Sequence, residues 1–150
     1  MIMCGELDDN VQIGQDLLDR LRVMARMLDV APEATPGQGG PTGLASADGR
    51  AAYMDTLFNA GLTRALHDTA AAEPEETVDA IASQAIAFAR LAGFLAGQLP
   101  PEADLFRSTT EALMAGHSET KRLTHNYRHQ QDQLHGHSHD DENHHGHPHH

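Results

Sequence analysis

Residues 78–99, VDAIASQAIAFARLAGFLAGQL, decide how this chain folds. Val78, Ile81, Ala85, Phe88, Ala92, Leu95 and Leu99 recur at alternating steps of three and four, which lays an apolar seam along one face of a helix. A second stripe on the same helix is made of small residues, Ala82, Ala89, Gly93 and Gly97, and small side chains let another helix come close. We read that stripe first as close packing inside one bundle, with a homodimer interface as the alternative.

The same stretch has to be weighed as a membrane span. Ile81, Ile86, Phe88, Leu91, Phe94 and Leu95 each favour insertion by roughly 0.3 to 0.6 kcal/mol, whereas Arg90 near the centre costs about 2.5 to 3.5 kcal/mol. Asp79, Gln84 and Gln98 push further toward water. The expectation is a well-buried helix of a water-soluble protein, with no membrane insertion.

Working outward, Pro74 suits the first turn of this helix, and Glu75 and Glu76 favour its N-terminal dipole. Pro100-Pro101 ends it, because a proline disfavours helical geometry in the residue before it. Upstream, residues 48–69 carry Met54, Leu57, Phe58, Leu62, Ala65 and Leu66 at helical spacing, predicted to face inward. A first helix over 9–30 places Val11, Leu17, Leu18, Leu21, Met24, Ala25 and Leu28 on one face, behind capping candidates Asp8, Asp9 and Asn10. Between these two helices, Pro32, Pro36, Gly37, Gly39, Gly40, Pro41 and Gly43 predict a flexible linker over 31–47. Downstream, a fourth helix opens at Pro101 or Glu102 and carries Leu105, Phe106, Ala112 and Leu113; its apolar content fades after Ala115. Met24, Met54 and Met114 read as core fillers.

The predicted organisation is all-α: a small bundle of about four helices with a disordered C-terminal tail. Residues 1–7 are a flexible N-terminus, 8–120 the bundle, 121–134 a helical extension and 135–150 the tail.

Composition narrows the function classes. Ten basic against twenty-two acidic side chains give a net charge of −12 over 150 residues. That repels phosphate backbones and disfavours nucleic acid as a partner. With no Trp and only four Phe and two Tyr, the core must be aliphatic. One cysteine, Cys4, excludes an intramolecular disulfide and fits a reducing compartment. The opening residues lack the basic start and apolar run of a secretory signal, so the cytoplasm is the expected location. No His-Glu-x-x-His, Gly-x-Ser-x-Gly or phosphate-loop motif is present, nor the two helix-borne Glu-x-x-His of di-iron bundles. No enzymatic role is expected.

The chemistry concentrates in the last sixteen residues. His135, His137, His139, His144, His145, His147, His149 and His150 stand among Asp140, Asp141 and Glu142, and no apolar residue follows Leu134. Such a segment has nothing to bury against its ordering entropy. Imidazole is a borderline donor for nickel and zinc, and it suits cobalt and copper as well. Alternation at His135, His137 and His139 sets the rings on one side of an extended chain. Wrapping about five residues round an ion costs roughly 5 to 10 kcal/mol of backbone order. Without thiolates, binding should therefore be moderate and exchange fast, which suits storage or hand-over rather than a structural site. On the fourth helix, His125 and His129 are four apart and share a face, so they are further candidate ligands. His117 lies on nearly the same side with Lys121 between, and His67 reads as a helix C-terminal residue.

His135-Gly136-His137-Ser138-His139 and His144-His145-Gly146-His147-Pro148-His149-His150 resemble the histidine-rich ends of bacterial nickel and zinc accessory proteins, over about a tenth of the chain. The resemblance implies a metal chaperone or reservoir with a metalloenzyme or metal-transport protein as partner. The alternative is a helical interaction or regulatory protein that acts through its bundle or a dimer interface, with the tail as sensor or passenger.

Overall fold

A computed structural model describes residues 3–31 and 39–136, with side chains from residue 9 onward. The protein is an all-α helical bundle. Four helices follow one another as α1 Met3–Met27, α2 Ala47–Ala71, α3 Thr77–Ala96 and α4 Leu105–Gly136, with no strand among the described residues. Short 3-10 turns at Pro74–Glu76 and Pro101–Ala103 lead into α3 and α4. The chain divides into two compact units, residues 1–103 and 104–150.

In the first unit, α1 begins at Met3, so most of the segment expected to be a flexible N-terminus is helical. It stops three residues short of the expected end. Asp29 takes a left-handed φ of 57°, its N–H bonds Arg26 O at 3.1 Å, and Val30 N–H reaches back to Ala25 O at 2.8 Å. That is a Schellman closure, and the short polar side chain of Asp tolerates a geometry that usually asks for glycine.

The Gly/Pro segment is described from Gly39 onward; residues 32–38 lie outside the described residues. Its last part is ordered by the cap of α2. Ser46 accepts from Gly49 N–H at 3.0 Å, and the Arg50 guanidinium donates to Leu44 O and Ala45 O. Gly49 is required there: a Cβ would stand 1.9 Å from Gly43 O.

Helices α2 and α3 form a hairpin through the turn at Pro74–Glu76. Small half-buried positions, Gly61, Ala65 and Thr69 on α2 and Ala80 on α3, allow contact near the connection. Gln84 joins the two helices, donating to Ala65 O at 3.0 Å and accepting from Thr69 Oγ1 at 3.3 Å. At the far end of α3, Arg20 of α1 donates to Gln98 O.

The core is much smaller than the sequence leads one to expect. Ala96 is the one buried apolar residue among those described. Met54, Leu57, Phe58, Leu62 and Leu66, expected to face inward, are all exposed, Leu66 at 68%. Met54 and Met114 are not core fillers, and Met24 is half-buried. Nor is the 78–99 helix well buried: residues Pro74–Ala96 are long and apolar enough to cross a membrane, with mean hydropathy 1.4, and none of that apolar window is buried. The Gly93 face of the small-residue stripe is open, since a Cβ there would meet nothing within 4 Å. A seam at helical spacing specifies a face that can be covered. It does not supply the helix that covers it.

The second unit is built on α4, a 32-residue helix with no buried residue. Asp104 precedes it, its carbonyl accepting from Ser108 N–H. The helix runs unbroken through the expected extension and includes His135 and Gly136, which were expected to open the disordered tail.

Candidate metal centre

Along helix α4, polar side chains bond within the helix itself. Thr109, Thr110, Thr120 and Thr124 each donate to the carbonyl four residues back. Arg107 pairs with Glu111 at 3.0 Å one turn on, and Gln131 donates to Tyr127 Oη at 2.6 Å. Pairs at this spacing add tenths of a kcal/mol each.

On this scaffold His125 and His129 stand one turn apart, as the sequence predicts. They line one shallow concavity together with Arg128, Asp132 and Gln133. Asp132 is a donor that the sequence reading passed over. It lies three residues after His129 and seven after His125, so spacing alone could have found it. A carboxylate beside two imidazoles is a donor set that a divalent cation accepts, but the Arg128 guanidinium in the same concavity opposes one.

His117 lines a neighbouring depression with Thr120, Lys121, Thr124, His125 and Arg128. Lys121 stands between the two histidines, as expected, and adds a second positive charge to that side. Among the described residues no three His, Cys, Asp or Glu side chains are placed to hold one ion. The helix therefore offers a pair of imidazoles and a nearby carboxylate rather than a closed site.

His135 sits in the last turn of α4, so the first of the eight tail ligands is helical rather than part of an extended chain. His137, His139, His144, His145, His147, His149 and His150 lie outside the described residues, as do Asp140, Asp141 and Glu142. His67 does sit near a helix C-terminus, in α2. Its Nδ1 lies 3.1 Å from Asp68 Oδ1, and Arg64 Nε lies 2.7 Å from Asp68 Oδ2. The Arg64 hydrogen bond, and then that of His67, hold the Asp68 carboxyl below its usual range. This exposed trio is a local helix network and offers no cavity.

Compared with known protein families, characterised proteins and solved structures, the chain matches none.

Proposed function

We propose that this chain is a metal-handling accessory protein. Its tail binds nickel or zinc in a readily exchanging form, for storage, buffering or delivery to a metalloenzyme or a metal-transport protein. The observation that carries this is distribution: of twelve histidines, only His67 precedes residue 117. The others lie on α4 or follow it, with five carboxylates among them. Neutral imidazoles bind borderline dications without charge repulsion, and a chain of net charge −12 concentrates cations around itself. Cobalt and copper suit the same donors. The role needs no catalytic residues. The cytoplasm, where a lone Cys4 stays reduced, is the compartment that fits it.

Calorimetric titration with nickel and with zinc tests the proposal, comparing the full chain with one ending after Gln133. The full chain should take up at least one ion more than the shortened one. Equal stoichiometry would refute a metal role for the tail.

A second reading has an observation of its own. Large apolar side chains stand exposed on every helix, as in a protein that works by covering those faces with a partner. If Gly93→Leu dissociates an oligomer and removes biological activity while tail deletion does neither, this interaction role replaces the first.

A further inference from the structure

Helix α4 carries a repeat that the metal reading does not use. Phe106, Leu113, Thr120, Tyr127 and Leu134 follow one another at intervals of seven, and Thr109, Gly116, Leu123 and Gln130 stand three residues after the first four. Five of these nine positions are large and apolar, Phe106, Leu113, Leu123, Tyr127 and Leu134, at the seven-residue period that winds two helices together, with Thr109, Gly116, Thr120 and Gln130 between them. Leu105 and Thr109 at its start are half-buried. Phe106, Leu113, Leu123, Tyr127 and Leu134 are exposed, Phe106 and Leu134 at 78%. Beyond its first turns this long helix lacks the tertiary packing from which most helices in proteins draw their stability.

We propose that α4 pairs with α4 of a second copy of this chain, as a parallel, in-register two-stranded coiled coil. Three observations select that occupant. The first is charge. The chain as a whole is strongly acidic, but α4 carries Arg107, Lys121, Arg122 and Arg128 against Glu111, Glu119 and Asp132. The positions flanking the seam, from Leu105 and Thr110 through Ala112 and His117 to Gln131 and Gln133, hold one formal charge, Glu119. Nothing at the edges of the seam opposes a like helix.

The second observation is the order of the layers. In register and parallel, each layer meets itself: leucine on leucine, Tyr127 on Tyr127, Thr120 on Thr120, Gln130 on Gln130. Antiparallel alignments that keep the seam set Gln130 against Phe106 or against Leu113, burying an amide on an apolar side chain. The third is area. The five large side chains together remove on the order of 600 Å² per chain, near the roughly 800 Å² that each partner gives to a standard interface.

Pairing on this seam leaves Ser118, His125, His129 and Asp132 on the outer faces of the two helices. It also brings both copies of His135, and the tails that follow, to the same end of the pair. Two sets of imidazoles then serve one region, a deepening that rests on the proposed metal role; the pairing itself does not.

The test uses the full chain carrying Cys4→Ser, held in chelator so that metal cannot bridge histidines. Gln130→Cys places a thiol in the seam without removing an apolar side chain, and Ser118→Cys places one on the opposite face. Paired seam positions fall within disulfide reach, so Gln130→Cys should form covalent dimer at least about tenfold faster than Ser118→Cys under mild oxidant. Adding Leu123→Asp and Tyr127→Asp should abolish that linkage and halve the mass seen by light scattering. Equal linking rates, or a single-chain mass at every concentration, would overturn the pairing. A dimer by mass in which Gln130→Cys does not link would overturn its parallel arrangement.

Discussion

At the scale of single residues, the backbone is held by a few side chains whose removal has a definite sign. Gly49 leaves no room for a Cβ against Gly43 O, so Gly49→Ala should displace the Ser46 cap and cost about 1 to 2 kcal/mol. A lowered thermal midpoint, with faster hydrogen exchange at residues 46–50, would show it. Asp29 holds a left-handed φ, where glycine carries no steric penalty, so Asp29→Gly should stabilise the end of α1 by about 0.5 kcal/mol in a denaturant titration. Asp68 is held below its ordinary 3.8 by Arg64 and then His67. The folded state therefore binds that proton less readily than the unfolded state. Its contribution is fully present above pH 3.8 and fades as the pH falls further. Asp68→Asn should accordingly lower α2 helicity at neutral pH and make no difference once the wild-type carboxyl is protonated. Circular dichroism against pH reads both limbs. None of these three geometries was read in advance, although all are local: Gly43 and Gly49 are six residues apart, Asp29 closes its own helix, and Arg64 and Asp68 are one turn apart.

At the scale of helices, more could be read ahead. The alternating steps of three and four in 78–99, the Pro74 start and the Pro100-Pro101 stop located α3 within a few residues of Thr77–Ala96. The other helices were found by the same spacing, α2 to within two residues at each end, but the ends of α1 and α4 were not. The end of α1 depends on Asp29, and α4 continues past the loss of its apolar residues, where Gln131 pairs with Tyr127 one turn back. What α2 and α3 share was hidden as well. Gln84 had been counted only as a polar residue that disfavours a membrane, yet it joins the two helices. Gln84→Ala should cost about 1 to 2 kcal/mol by leaving Ala65 O and Thr69 Oγ1 without that partner, measured as a shift in urea midpoint. On α4, the one-turn spacing of His125 and His129 was legible and both line one concavity, with Asp132 beside them unremarked in the sequence. Replacing both histidines with alanine should lower bound nickel by no more than about one ion per chain, because two imidazoles beside Arg128 make a weak site. Equilibrium dialysis measures that loss, and losing most of the metal would shift the centre of binding from the tail to the helix.

At the scale of the whole molecule, apolar spacing foretold an all-α protein without foretelling how little it would cover. The apolar face of α1 was located, since Leu17, Leu21, Met24 and Ala25 are half-buried, but α2 and α3 meet through small and polar positions, and Phe58, Leu66, Ile86 and Leu91 remain in water. Each large apolar side chain left exposed forgoes roughly 1.5 to 3 kcal/mol, which is a sizeable part of the 5 to 15 kcal/mol by which folded domains are usually stable. Periodicity could not reveal this, because an exposed seam and a buried one have the same sequence signature. The open faces have a calorimetric consequence. The heat capacity of unfolding follows the apolar surface newly hydrated when a fold opens, usually about 12 to 15 cal/mol/K per residue. In a dilute single chain most of that surface already faces solvent. Its endotherm should be broad, its heat-capacity step well under half the usual value, and its stability curve nearly flat through the cold.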